Sequence, residues 1–478
     1  MLFSSVIFIF LFLPLTLGVY FLTPKRFKNL SLLFMSLFFY YCTERNYVLL
    51  LAASVCVNYG FALLIEKYQE TGKNRNAKVA LSAAVAFNIA LLVSFKYLYF
   101  IAGESGVIAV VTGLALALPR IYLPLGISFF TFKALSYVID VYRRDVKAQK
   151  NIILYSLYHS FFPQLLAGPI ARYRDMASQM IGRRITLERL RSGMERFIIG
   201  LGKKVLIANQ LGPVVDQAFS LPLARLSPSA AWLGILCYTL QIYFDFSGYT
   251  DMAIGLARMF GFTTPENFNY PYIARSVREF WRRWHITLSE WFRDYLYIPL
   301  GGNRVRPHRV YANLLIVFLL CGLWHGASWT FVVWGLWHGL FLAFERTKPG
   351  LKLSRLAILN NLYTCLVFVL GWVFFRSADM AQAVTYLRAM FGLNGAITVP
   401  SFAALINAKI VTLLVIGIIG STPAMRNLVL YAGSHVGESV PLAAVRHAIA
   451  ASVLLALFIL SLSATTYDVY KAFIYFQF

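Results

Sequence analysis

The chain has 478 residues, of which 59% are hydrophobic and only 13% charged, roughly half the charged share of an ordinary soluble domain. That composition excludes a soluble globular protein and describes a polytopic membrane protein. A net charge of +24 would suggest nucleic acid in a soluble chain. Here the basic residues gather between apolar runs, so they report orientation and lipid contact, and no nucleic-acid partner is expected.

Taken in chain order, runs long enough or nearly long enough to cross a bilayer fall at 2–22, 29–43, 47–65, 79–101, 107–139, 152–169, 194–220, 229–260, 310–344, 354–375, 405–424 and 441–464. The first lacks a basic leader and a small-residue cleavage site, so it reads as a retained span. Three runs, 107–139, 229–260 and 310–344, are too long for one span or are interrupted by Gly and Pro, and each is expected to hold a turn, a re-entrant half-helix or a tilted pair. The expected fold is an all-α polytopic membrane protein of about eleven to thirteen transmembrane or re-entrant helices, with residues 1–478 as one membrane domain. Neither an internal repeat nor a long linker divides it.

Lys25, Arg26 and Lys28 follow the first span, Lys67, Lys73, Arg75 and Lys78 the third, and Arg143, Arg144, Lys147 and Lys150 the segment ending near 139. Such loops are expected on the cytoplasmic side, with the N-terminus outward. Two larger basic stretches, 172–204 and 275–309, carry nine and eight Lys or Arg against three acids each, and they belong on the same side by the same rule. The five cysteines, Cys42, Cys56, Cys237, Cys321 and Cys365, sit in or beside apolar runs with no Cys-x-x-Cys spacing, so neither a disulfide framework nor a metal site is indicated.

Three places carry chemistry. His325 lies in Gly322-Leu323-Trp324-His325-Gly326-Ala327-Ser328-Trp329, inside an apolar stretch. An ionisable group at membrane depth is costly and marks a reaction or transport path by default, the bland alternative being a neutral His hydrogen-bonded between helices. In the polar excursion 261–309, residues 275–296 contain no Gly or Pro and have helical spacing. Projected on a helix, Arg278, Arg282, His285 and Ser289 form one stripe, with Trp281, Trp284, Leu288 and Trp291 beside it. This predicts an interfacial helix with tryptophans among the headgroups and a cationic face toward a polar cavity, or else a plain amphipathic anchor. In the turn that follows, Gly301-Gly302-Asn303-Arg304, the glycines can take positive φ and expose N–H groups to an anion, although Gly-Gly-Asn is also a routine turn. The third place is Asp245, with Asp251, inside the 229–260 run. The alternatives are salt bridges to cytoplasmic-side arginines or a role for Asp245 in positioning an arginine or a histidine at a reaction centre.

The strings Phe162-Pro163-Gln164-Leu165-Leu166-Ala167-Gly168-Pro169-Ile170, Gln241-Ile242-Tyr243-Phe244-Asp245-Phe246-Ser247-Gly248-Tyr249, Pro265-Glu266-Asn267-Phe268, Trp281-Arg282-Arg283-Trp284-His285, Arg293-Asp294-Tyr295-Leu296-Tyr297-Ile298-Pro299-Leu300-Gly301-Gly302-Asn303-Arg304 and Leu323-Trp324-His325-Gly326 occur in this order. Together they resemble the membrane-bound O-acyltransferase (MBOAT) family, and more narrowly its bacterial alginate O-acetyltransferase branch. Each string is weak alone; the order and spacing carry the resemblance, which runs over about three quarters of the chain. After about Ala396 no motif transfers.

The resemblance implies a ring of tilted helices around a tunnel, with His325 as the essential residue and His285 as a second histidine near the cytoplasmic mouth. Acyl transfer from a thioester to a hydroxyl needs a base, a donor pocket and exclusion of water. His325 is the expected general base, acting in a direct attack by the acceptor, with a transiently acylated residue as the alternative. Trp324 or Ser328 is a candidate for the oxyanion. Arg278, Arg282, Arg283, Trp284, Gly302, Asn303 and Arg304 are candidates for holding the donor, with Asp245 in support. No tightly bound cofactor is expected; acetyl-CoA enters as the acyl donor. The resemblance further implies a bacterial inner membrane location, membrane lipids as surroundings, a periplasmic or membrane-anchored acetyltransferase partner, polysaccharide export machinery, and a polysaccharide such as alginate as the final acceptor. The alternatives are D-alanyl transfer to teichoic acid, peptidoglycan O-acetylation and, in another class, a proton-coupled transporter or flippase, against which stands the lack of an inverted repeat.

Overall fold

A computed structural model describes residues 1–103, 107–113, 122–221, 226–353, 356–393, 395, 405–435, 440–467 and 473–474. Among the described residues every regular element is helical. Six stretches are long and apolar enough to cross a bilayer, from Lys25–Glu70 to Ala448–Thr466, and Phe8–Leu22, Trp329–Phe344 and Ala408–Gly420 are shorter apolar helices. Large apolar side chains such as Leu22, Phe34, Leu49, Val79 and Leu340 point outward, the arrangement that a lipid solvent favours and water penalises. Cα packing divides the chain into two compact units, Met1–Phe197 with Met252–Pro265, and Ile198–Asp251 with Glu266–Phe478.

The first unit is built from α1 (Leu13–Leu22), α2 (Lys28–Glu44), α3 (Val48–Glu70), α4 (Asn74–Leu92), α5 (Ile127–Arg143), α6 (Ile152–Ser160) and α7 (Tyr173–Gly182). Thr23 before Pro24 is extended and ends α1, as the steric demand of a following proline requires. Gly126, at φ 81°, precedes α5, where a Cβ would meet the Leu165 carbonyl oxygen at 2.4 Å, so only glycine fits. Of the apolar run 107–139, residues 114–121 lie outside the described residues. Interhelical polar pairs hold this unit: Asn88 Nδ2 donates to Asn58 Oδ1 at 2.7 Å, and His159 Nε2 meets Ser54 Oγ at 3.2 Å. Such bonds pull apolar helices together where no hydrophobic force separates protein from lipid.

Two helices run across the division, α8 (Leu187–Gly202) and α9 (Pro228–Met259). The sequence predicts a turn within 229–260, but α9 is one continuous helix of 32 residues. Its glycines serve close approach. A Cβ on Gly255 would lie 2.6 Å from the Gly193 carbonyl oxygen, and one on Gly248 2.7 Å from that of Gly200, so small residues let the backbones touch without bending either helix.

The second unit continues with α10 (Val277–Arg283), α11 (Ile286–Phe292), α12 (Pro307–His325), α13 (Trp329–Phe344), α14 (Ala357–Arg376), α15 (Ala408–Gly420) and α16 (Val440–Tyr467). The expected break in 310–344 falls at Gly326-Ala327-Ser328. Gly322 and Gly335 form the crossing of α12 and α13, where a Cβ on either would come within 2.2 Å of a backbone oxygen of the other helix.

The single helix expected over 275–296 is instead two, separated at His285, whose φ of 43° is left-handed. A non-glycine residue there is held by its surroundings and not by local preference. The break also overturns the two-stripe projection. Trp281, Trp284, Leu288 and Trp291 are 6%, 0%, 1% and 7% exposed, so they are core and not headgroup anchors, and His285 turns inward while Arg278 and Arg282 stay exposed.

Candidate active site

The site is assembled within the second unit. α12 ends on His325 because Gly326 adopts an extended conformation (φ −158°) and the next helix starts at Trp329. This places a buried imidazole, 4% exposed, at the C-terminal end of a helix. Aromatic rings enclose it: Trp324 and Trp334 each at 4.9 Å between ring centroids and Phe375 at 5.4 Å. The His285 ring is 6.4 Å away, and Trp324 packs against both imidazoles. The two histidines singled out by sequence therefore share one site, 40 residues apart in the chain.

His285 is oriented by a residue to which the sequence reading assigned no role. Asn267 Oδ1 accepts the Thr287 backbone N–H at 3.1 Å and the Thr287 hydroxyl at 2.9 Å, and lies 3.2 Å from His285 Nδ1. Because Thr287 N–H can only donate, the Asn267 atom it meets is the oxygen, and His285 Nδ1 must donate as well. That leaves the Nε2 lone pair as the basic atom. The Asn267 carbonyl accepts the Ile286 N–H at 3.0 Å and Asn269 N–H donates to the Arg283 carbonyl at 2.9 Å, which clamps the left-handed residue. Burial pushes the His285 imidazole down to about 3, so it is neutral at physiological pH.

A cavity of about 370 Å³ in the same unit is lined by the exposed Arg278, Arg282 and Arg293 and the half-buried Arg346, and by Trp281, Ile286, Phe318 and Cys321; neither His285 nor His325 lines it, but residues next to both do. Cys321 is one helical turn before His325 on the same face of α12, and Ile286 adjoins His285. Glu290 also lines it, and Arg293 is held in a forked bond to Asp294 at 2.6 and 3.1 Å. Arg278 is placed through its backbone: Glu345, just past α13, accepts the N–H groups of Val277 and Arg278 at 2.5 and 3.2 Å and caps α10. Burial raises the Glu345 carboxyl above its usual range, against those two hydrogen bonds.

The other sequence candidates are distributed as follows. Gly301 and Gly302 take positive φ, but their N–H groups donate to the Ile298 and Tyr297 carbonyls within the turn, so they are not offered to an anion. The turn instead presents Asn303, whose Oδ1 accepts from Tyr297 Oη at 2.5 Å and Arg346 at 2.8 Å, and Asn303 lines the cavity while Gly302 and Arg304 do not. Arg283 pairs with Glu279 at 2.8 Å and Trp284 is fully buried. Ser328 Oγ is 2.7 Å from Thr330 Oγ1. Asp245 positions neither an arginine nor a histidine; it forms a buried ion pair with Lys204 and accepts the Ile474 N–H at 2.9 Å. Asp251 pairs with Lys203 at 2.7 Å. Phe473 packs against Tyr249 and, edge to face, against Phe246, at 4.6 and 5.8 Å between ring centroids, and Phe246 meets the His285 ring at 4.7 Å. Phe473 and Ile474, in the part of the chain that carries no motif, thus buttress the helix behind His285.

A helical membrane fold with two buried histidines and an arginine-lined cavity has the parts that a membrane enzyme of acyl transfer needs, a base and a donor pocket. Residues 30–375 match the model of the membrane-bound O-acyltransferase family. The chain is 43% identical over 398 residues to a protein of Azotobacter vinelandii described as "Probable alginate O-acetylase", covering 82% of this chain and 79% of that one. It is 38% identical over 431 residues to the peptidoglycan O-acetyltransferase of Helicobacter pylori, covering 83% and 80%. It is 30% identical over 219 residues to the teichoic acid D-alanyltransferase of Bacillus subtilis, covering 43% and 54%. The chain belongs to the membrane-bound O-acyltransferase family; it is a multi-pass membrane O-acyltransferase, and the transporter reading is set aside.

Proposed function

We propose that this protein performs the membrane step of polysaccharide O-acetylation in a bacterial inner membrane, taking acetyl from acetyl-CoA on the cytoplasmic side. The observation that carries this reading is that the arginine-lined cavity reaches Ile286, next to His285, and Cys321, one helical turn before His325, while the two imidazoles lie 6.4 Å apart. Arg278, Arg282 and Arg346 suit the phosphates of coenzyme A, and the apolar interior toward Cys321 suits a pantetheine arm carrying the acetyl thioester. His325 takes the proton of the acceptor hydroxyl as its oxygen attacks the thioester carbonyl carbon. The C–O bond forms, the C–S bond breaks, and the thiolate leaves to be protonated as coenzyme A. His285, neutral and oriented by Asn267, positions the acceptor or passes the proton on. The aromatic enclosure keeps out water that would hydrolyse the thioester.

The acceptor hydroxyl in this step belongs to a periplasmic or membrane-anchored acetyltransferase partner, coupled to polysaccharide export, which in turn gives up the acetyl to a hydroxyl of a polymer such as alginate, its own hydroxyl leaving with a proton. The alginate relatives support this polymer. The Helicobacter relative, of similar coverage, supports peptidoglycan as the second reading, whereas the D-alanyl relative aligns over less than half of the chain. The test is His325→Ala or His325→Gln in cells, reading polymer acetylation and membrane abundance together. Loss of roughly 10²–10⁴ in transfer rate at normal abundance is expected; near-normal acetylation by a well-expressed variant refutes the proposal.

A further inference from the structure

The first unit contains a second basic concavity that plays no part in the acyl-transfer site. It has a volume of about 610 Å³ and is lined by Lys25, Lys28, Arg183 and Arg184, with Tyr20, Asn29 and Thr186 as polar company and no carboxylate. Four cations converge against mutual repulsion, and hydrogen bonds hold two of them in place. Lys28 Nζ donates to the Tyr20 carbonyl at 2.7 Å and sits over the Tyr20 ring at 4.5 Å. Arg183 donates through Nε to the Tyr20 hydroxyl at 2.9 Å and the Phe260 carbonyl at 3.1 Å, and through a terminal nitrogen to Asn29 Oδ1 at 2.6 Å, with its Cζ 4.4 Å from the centre of the Phe262 ring. Asn29 is itself fixed by donating to the Met180 carbonyl at 2.8 Å.

The location adds a second conflict. Lys25 and Lys28 stand at the start of α2, a helix of 17 residues with no acid in its first turn. Cations there oppose the helix dipole, which favours negative charge at that end. An anion in the concavity relieves both the repulsion and the dipole conflict. The rim indicates what kind of anion. Phe21 and Ile181 of the lining are 42% and 80% exposed, and Leu22 and Leu187, each next in the chain to a lining residue, are 86% and 81% exposed, so a charged concavity opens beside bare apolar surface. That combination matches a molecule with a phosphate at one end and hydrocarbon at the other.

We propose that this concavity is a binding site for the headgroup of an anionic phospholipid, its phosphate held by Lys25, Lys28, Arg183 and Arg184 and its chains lying along Phe21, Leu22, Ile181 and Leu187. Basic concavities at the cytoplasmic ends of membrane helices recognise such headgroups.

The test uses the full chain purified in detergent and exposed to an equimolar mixture of phosphatidylglycerol and phosphatidylethanolamine, with bound lipid counted by native mass spectrometry. Preferential retention of phosphatidylglycerol is expected. The double variant Lys25→Ala/Arg184→Ala, which alters exposed side chains and leaves the hydrogen-bonded Lys28 and Arg183 in place, should reduce that retention about 30-fold with an unchanged melting temperature. Millimolar inorganic phosphate should not displace the lipid. Equal retention of the two lipids, or of phosphatidylglycerol by the variant and the parent, overturns the proposal. Displacement by inorganic phosphate makes the concavity a free-anion site and overturns the lipid assignment.

Discussion

Both units bury histidines among aromatic rings, and they do so differently. In the first, His159 lies between Phe130 and Tyr155 at 5.8 and 5.9 Å, and its Nε2 meets the Ser54 hydroxyl, itself within reach of the Asn58–Asn88 pair. In the second, His325 and His285 sit 6.4 Å apart, and residues next to them line a cavity that also holds Arg278, Arg282, Arg293 and Arg346. Burial of an imidazole in a membrane protein therefore does not by itself mark chemistry. His159 matches the bland reading, a polar residue joining helices. What distinguishes the second site is a cationic cavity lined by residues next to its histidines, with a neighbour, Asn267, that fixes the tautomer of His285.

The largest expected effect separates the two classes of histidine. His325→Gln should lower acetyl transfer by roughly 10²–10⁴, whereas His159→Gln should keep the rate within about threefold and lower the melting temperature instead, its role being structural. Measured side by side on purified protein, equal losses of rate would erase the distinction. Next in size are His285→Ala and Asn267→Ala, each expected to cost about tenfold to a hundredfold without abolishing transfer, since one removes the second imidazole and the other its orientation. Should His285→Ala be inactive and His325→Ala mild, the base and its support exchange roles.

A smaller effect distinguishes the arginines. Arg282→Glu, inside the cavity, should raise the KM for the donor about tenfold with little change in kcat, while Arg304→Glu, outside it, should change KM less. Equal effects would mean that the donor contacts the surface turn and not the cavity. The smallest effect concerns pH. Burial pushes the His285 imidazole down from the ordinary 6.5 to about 3, so the folded state resists protonation. Its contribution to stability is complete above about 6.5 and is lost as pH falls toward 3, amounting to about 2 kcal/mol at pH 5. Thermal unfolding in detergent at pH 7.5 and pH 5 should show a larger acid destabilisation for the parent than for His285→Gln.

Much of this second site was legible in the chain and part was not. The span pattern, His325, His285, and the arginines of 278–282 are visible because hydrophobic run length and motif order are local properties. The break at His285 was not, because 275–296 has no Gly or Pro and the left-handed conformation is enforced by Asn267, 18 residues upstream. The same limit hid Lys204 as the partner of Asp245, 41 residues away, and Arg346 as a cavity residue, brought in by its bond to Asn303. The glycines of α9 misled in the opposite direction. Gly248 and Gly255 look like helix breakers until the neighbouring backbone that needs their missing Cβ is in view.

The claim that a cytoplasmic thioester enters the arginine-lined cavity and gives up its acetyl beside His325 is tested most directly by supplying the donor to one side of the membrane at a time. With sealed vesicles holding the protein and an acceptor, labelled acetyl-CoA presented to the cytoplasmic face of inverted vesicles should yield labelled product in the parent and none above background in His325→Ala. Transfer from acetyl-CoA presented only to the outer face of right-side-out vesicles would contradict the donor path, the topology of the 275–309 loop and the role of the cavity together.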